Sequence, residues 1–244
     1  MLTNLGIVCG PTGRHADVLD AFREAVSWWR ALAADDPTHL PGLLNYLGIS
    51  LGAVGRFAEA VAPVEEAVAL LRAAAAANPD SRPELAKALN NLGNRYQQAG
   101  RTADAVGCAE ETVALQRELA VEDPQRLDSL AHALSNLGSA YRQAGLPAVS
   151  PGEEAVALSR RIAAEDPSHV YALTLALNNL GMHYSDVGRH ADAVGVTEEA
   201  VTLLQRLTAQ DALFQHTLDG AVRNLENHRR AAVEPKRKKR FWRS

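Results

Sequence analysis

The sequence predicts an all-α fold, a right-handed α–α superhelix of antiparallel helix pairs closed by a C-terminal capping helix. Three observations predict it. A Leu-Gly step recurs at Gly6, Gly48, Gly93, Gly138 and Gly181, at intervals of 42, 45, 45 and 43 residues. A second Gly follows each after seven residues, at Gly13, Gly55, Gly100, Gly145 and Gly188, and each period runs on to Asp36-Pro37, Asn78-Pro79, Asp123-Pro124 or Asp166-Pro167, with Asp211 at the same phase lacking its Pro. Hydrophobic residues make up 47% of the 244-residue chain but aromatics only 5%, so Ala and Leu carry the core, and both favour helix. A fixed period of this length is one helical unit stacked many times.

Each landmark has a local job. In LNNLGNRYQQAGR (89–101), Leu89, Leu92, Tyr96 and Ala99 fall on one helical stripe, spaced 3, 4 and 3. Gly93 lies inside that helix, where it costs about 1 kcal/mol relative to Ala. Close approach of a neighbouring helix is the expected reason. Gly100 ends the helix in the left-handed conformation. Thr102 or Asp104 is expected to start the second, longer helix. Asp123-Pro124 stops it, because the residue before Pro is pushed out of the α region. Such a pair cannot bury its apolar face alone, so neighbours must stack.

The expected units are 1–37, 38–79, 80–124, 125–167 and 168–211, followed by a capping helix at 212–232 and a basic tail at 233–244. All of 1–232 forms one solenoid in this reading. The first unit begins inside its first helix. The fourth loses two residues and carries Pro147 and Pro151, which predicts a distorted turn and a shortened second helix. In the capping helix, RNLENHRR (223–230) aligns with NNLGNRYQ (90–97), and Glu226 takes the place of the packing Gly.

These residues resemble the tetratricopeptide repeat (TPR) signature. Tyr96, Tyr141 and Tyr184 occupy its aromatic position, with Cys9 and Leu51 as replacements in the first two units. Ala60, Ala105 and Ala193 match its first small residue. Ala25, Ala67, Ala155 and Ala200 match its second, with Thr112 as the exception. The long period is similar to the repeats of kinesin light chains and of bacterial TPR proteins fused to signalling NTPases. The resemblance implies a TPR solenoid that binds a protein or peptide along its first helices, with no catalytic activity and no cofactor.

It also implies where a ligand would lie. The residue before Leu-Gly faces the groove in that family, and here it is Asn91, Asn136, Asn179 and Asn224, with Asn4 in the first unit and Tyr46 breaking the series. Asn both donates and accepts, so a row of them can hold a peptide backbone. Lys87, Asn94, Gln98, Arg142 and His183 complete the candidate set, with Asn90, His132 and Asn178 nearby. Glu65-Glu66, Glu110-Glu111, Glu153-Glu154 and Glu198-Glu199 recur with the period and read as a solvated helix face.

The formal charge of −4 hides an asymmetry. Residues 229–244 hold eight basic side chains and one acid, which is +7 and leaves −11 for residues 1–228. Lys236, Arg237, Lys238, Lys239 and Arg240, beside Phe241 and Trp242, suit a weak contact with nucleic acid or an anionic surface. Neither cysteine has metal-site or nucleophile spacing, and no phosphate loop, nucleophile elbow or HExxH motif occurs. No apolar run is long enough to span a membrane and no signal peptide opens the chain, so the expected location is the cytoplasm. The start within a helix motivates a second reading, the sensor region of a multidomain signalling NTPase or protease system. Exposure of Phe22, Trp28 and Trp29 in the first unit would favour a homo-oligomer.

Overall fold

A computed structural model describes residues 39–233 and, before them, residues 20, 23, 24 and 26–28, which are helical. Within 39–233 there are nine α-helices: α1 (Leu40–Ala53), α2 (Phe57–Ala77), α3 (Arg82–Gln98), α4 (Thr102–Glu122), α5 (Leu127–Gln143), α6 (Val149–Glu165), α7 (Val170–Asp186), α8 (His190–Gln210) and α9 (Gln215–Val233). They form two compact units, α1 to α5 and α6 to α9, divided between Leu146 and Pro147. In the first, each of α1 to α4 packs on the helix that follows it. In the second, each of α6 to α8 does so. First helices of successive repeats also touch, α1 with α3, α3 with α5 and α7 with α9.

The core follows the repeat phase. Leu44, Leu89, Leu134 and Leu177, each four residues before the helical Gly, are fully buried. So are Ala60, Ala105 and Ala193 near the start of the second helix, and Ala67, Thr112, Ala155 and Ala200 at the phase two turns later. Val61, Val64 and Val68 of α2 share a cluster with Leu85, Leu89 and Leu92 of α3, so one face of a repeat's second helix is covered by the next repeat. Burying a Leu or Val contributes about 1.5–3 kcal/mol, which is why the pairs need their neighbours.

The helical glycines are not equivalent. A Cβ on Gly48 would stand 2.2 Å from Cγ2 of Val64 and 3.0 Å from the Ala60 carbonyl oxygen, and one on Gly181 would stand 2.3 Å from Oγ1 of Thr197. Close approach holds there. On Gly93 the nearest atom, Cβ of Cys108, is 3.5 Å away, an ordinary contact. The turn glycines Gly55, Gly100, Gly145 and Gly188 all have φ between 69° and 78°, the left-handed region that only Gly enters without strain.

Three expectations need correction. Thr102 begins α4, but no side chain caps it. The N-cap is Arg101, whose Nε donates to Asp104 Oδ2 at 2.7 Å, and Arg56 with Glu59 and Arg189 with Asp192 repeat the arrangement. The stop at the end of the second helix does not need Pro. Asn78, Asp123, Asp166 and Asp211 are all extended, and each side chain accepts from the backbone N–H two residues on, Asp211 included. That Asx bond competes with helix continuation by itself. The turn at Gly145 keeps its backbone bond and departs only beyond it, since residues 144–148 join α5 to α6 where three residues join the helices of the other repeats. Leu146 N–H donates to the Tyr141 carbonyl at 2.8 Å, as Arg101 does to Tyr96 and Arg189 to Tyr184. The two missing residues shorten the helix that follows: α6 has 17 residues where α2, α4 and α8 have 21. Pro151 sits in its first turn, where N–H groups have no helical partner to lose.

Candidate protein-binding surface

The asparagines that precede Leu-Gly project from the first helix of each repeat, and they are half-buried rather than free in solvent. Each described pair follows one rule. Asn91 Nδ2 donates to Asn45 Oδ1 at 3.1 Å, Asn136 to Asn90 at 2.6 Å, and Asn224 to Asn178 at 3.0 Å. The partner always lies 46 residues earlier, on the first helix of the preceding repeat. The Asn before Leu-Gly thus works in tandem with a second Asn one position earlier in the neighbouring repeat. Asn179 is half-buried at the same phase of α7.

The other candidates divide. Lys87 and Asn90 of α3 meet His132 of α5 at a pocket of about 200 Å³, floored by Thr112 and Gln116 of α4 and closed by Asp128 and Ser129. Asn94 joins Asn90, Gln97 and Asn136 at a smaller crevice of about 10 Å³. Gln98 is exposed and lies with Arg95 over Gly52, where a Cβ would fall 1.8 Å from Nη1 of Arg95. Burial lowers the Arg95 pKa from its ordinary value. Arg142 is exposed at the end of α5. His183 is a correction. It is only 1% exposed and packs against Gly152 of α6, where a Cβ would stand 2.8 Å from Nδ1. The corresponding residues on α3 and α5 are Arg95 and Ala140, so the phase alone did not forecast a bulky buried side chain matched by a glycine opposite. His183 belongs to the core.

The recurring glutamates are also a correction, because they link repeats. Tyr96, Tyr141 and Tyr184 each donate a hydroxyl hydrogen bond of 2.7 Å to Glu65, Glu110 and Glu153, 31 residues earlier. In α9, Arg229 stands where the Tyr would be and donates to Glu198 at 2.7 Å across the same interval. Arg101 and Arg189 lie over the rings of Tyr96 and Tyr184, at 4.3 and 4.1 Å, and also reach Glu65 and Glu153. The second Glu of two of the pairs serves the preceding second helix: Arg72 binds Glu111 and Arg160 binds Glu199. Burial and the neighbouring carboxylate raise the Tyr96 and Tyr184 pKa values above the usual phenol range. The signal was present as a Tyr and a Glu keeping one interval through three repeats. Read singly, each looked like surface.

Cys108 is buried against α3, and desolvation pushes its thiol up to about 11. Among the described residues no group of three or more His, Cys, Asp or Glu could hold a metal ion, and no helix is long and apolar enough to cross a membrane. Trp28 is 65% exposed. Phe22, Trp29, Cys9, Asn4 and the tail residues Lys236, Arg237, Lys238, Lys239 and Arg240 lie outside the described residues.

Comparison with known proteins agrees with this geometry. A tetratricopeptide repeat family model matches residues 42–80 and 85–125. Among solved structures, the chain is similar to BtubC (BKLC) from P. vanneervenii, at 21% identity over 89% of this chain and 84% of that one, with a TM-score of 0.70. It is also similar to a Podosopora anserina putative kinesin light chain with nearly identical TPR-like repeats, at 20% identity over 85% and 95%, with a TM-score of 0.65. A thermophilic TPR protein of Thermus thermophilus matches at 17% identity over 91% and 99%, with a TM-score of 0.50. At these identities the likeness is one of fold. No curated protein matches the sequence.

Proposed function

We propose that the chain is a protein–protein interaction scaffold, the role its tetratricopeptide-type fold supports, and that it holds an extended segment of a protein partner along the first helices of its repeats. The observation that carries this reading is the set of paired asparagines. Asn91, Asn136 and Asn224 each spend one N–H on the preceding repeat, which leaves a second N–H and a carbonyl for a ligand. The pairing also holds the side chain in place, so less rotamer freedom is lost when a ligand is bound. A peptide backbone presents alternating N–H and C=O groups, which such amides satisfy without selecting a sequence. Side-chain selectivity must then come from pockets beside the asparagines.

The test is a pull-down with the full chain in which Asn91, Asn136 and Asn179 are replaced together by Ala, followed by mass spectrometry. Partners bound by the wild type should be lost from the variant while its circular dichroism stays helical. Asn45→Ala is the control, since it breaks the Asn91 bond but keeps Asn91. Equal recovery of the same partner by the wild type and the triple variant overturns the reading.

A further inference from the structure

We infer that the pocket between α3, α4 and α5 receives an arginine side chain of the bound segment, an inference that rests on the scaffold reading above. The third repeat departs from its neighbours here. Nineteen residues after the helical Gly stand Ala67, Thr112 and Ala200, and 23 residues after it stand Leu71, Gln116 and Leu204. Only the third repeat puts two polar side chains at these positions. Gln116 is 7% exposed and lines the pocket, and its buried Oε1 has no hydrogen-bond partner. Burying an amide oxygen without a donor is costly, and a donor brought by a ligand removes that cost.

Beside the donors of Lys87, Asn90 and His132, three more polar groups offer lone pairs to the same space. The Thr112 hydroxyl donates to the Cys108 carbonyl at 2.7 Å, so it offers the pocket acceptor capacity. The Ser129 hydroxyl is directed at Asp128 Oδ1, 3.3 Å away. Asp128 adds a carboxylate at the mouth. Lys87 is the one lysine or arginine among the lining residues, and its Nζ lies on the rim 3.6 Å from Glu84. Lys87 and Asp128 cancel within the lining, and Lys87 is paired with Glu84 outside it, so a donor-rich cation can pair with Asp128.

Arginine meets both demands. Its guanidinium is flat and carries five N–H donors in a fork, so it can reach a buried amide oxygen and a carboxylate at once, while the lysine ammonium is compact and more strongly hydrated. A pocket of about 200 Å³ has room for a guanidinium group. The acidic balance of residues 1–228 attracts a basic segment in the same direction.

The probe is N-acetyl-arginine-N-methylamide, titrated into the ¹⁵N-labelled full chain and followed by NMR. The Gln116 side-chain amide and the Ser129 and His132 backbone signals should move together. The citrulline analogue, which keeps the shape and loses the charge, and the lysine analogue should both bind about tenfold more weakly. Gln116→Leu installs the residue of the second and fifth repeats and should abolish the shifts without lowering the unfolding midpoint. Asp128→Asn, at the exposed rim, should weaken binding several-fold. Equal binding of arginine and citrulline analogues, or unchanged binding in Gln116→Leu, overturns the inference. That result would leave partner capture through the asparagines intact, so the two readings fail separately.

Discussion

Replacing Gly48 with Ala should destabilise the protein, while the same change at Gly93 should stabilise it. Both residues lie inside a first helix, and Ala there is favoured over Gly by about 1 kcal/mol. At Gly93 the new Cβ meets Cβ of Cys108 at 3.5 Å and the Ala105 carbonyl at 3.7 Å, so that gain is kept. At Gly48 it lands 2.2 Å from Cγ2 of Val64 and 3.0 Å from the Ala60 carbonyl oxygen. Val64 is fully buried and β-branched, with one favoured rotamer in a helix, so it cannot swing aside. The helices must part, and overpacking of this kind costs about 1–3 kcal/mol. After the propensity gain, Gly48→Ala should be about 0–2 kcal/mol less stable than wild type and Gly93→Ala about 0.5–1 kcal/mol more stable. Urea unfolding followed by circular dichroism measures both. Val64→Ala removes the obstructing methyl and leaves only the 3.0 Å contact with the Ala60 carbonyl oxygen, so most of the Gly48 penalty should go in the double variant, with a coupling energy of about 0.5–3 kcal/mol. If Gly48→Ala stabilises as much as Gly93→Ala, the close contact with α2 is not what requires Gly48.

Two further outcomes follow from groups that burial has moved. The raised pKa of Tyr96 means the native state holds the phenolic proton more tightly than the unfolded chain, whose phenol titrates near pH ~10. The stability this contributes is complete below about pH 10 and is lost as pH rises above it. Tyr96→Phe should therefore flatten the alkaline fall in urea midpoint, at a cost near ~1 kcal/mol at neutral pH for the lost bond to Glu65. An equally steep alkaline fall in the variant contradicts this. With its thiol pushed up to about 11, Cys108 should resist iodoacetamide at about pH 8 in the native protein and react on unfolding in urea. Peptide mass spectrometry at Cys108 reads the difference, and rapid native alkylation contradicts it.

Much of this was legible in the primary sequence, and the reasons are local. A Gly that must be left-handed, an Asx that bonds its own backbone, and a leucine stripe at helical spacing act through a few neighbouring residues. That is why Leu44, Leu89, Leu134 and Leu177 and the small residues around Ala60 and Ala105 fell into the core at one phase. The turns at Gly55, Gly100, Gly145 and Gly188 did so too, even where Leu146 replaces the usual Arg.

Contacts between repeats were another matter. The helical period placed Asn91, Asn136 and Asn224 on the first helices, but their bonds to Asn45, Asn90 and Asn178 depend on how far one helix is offset along the next. Glu65 looked like solvated surface until Tyr96 came back to it from 31 residues away. His183 looked like a groove residue until Gly152 opposed it, and Gln116 had no visible role until α3 and α5 closed a pocket above it. Period, turns and core phase are fixed by short-range backbone and hydrophobic rules, so the sequence by itself determined them. Partners, burial of individual polar groups and the shape of the pocket depend on which faces meet across a helix interface, and only the tertiary structure decided those.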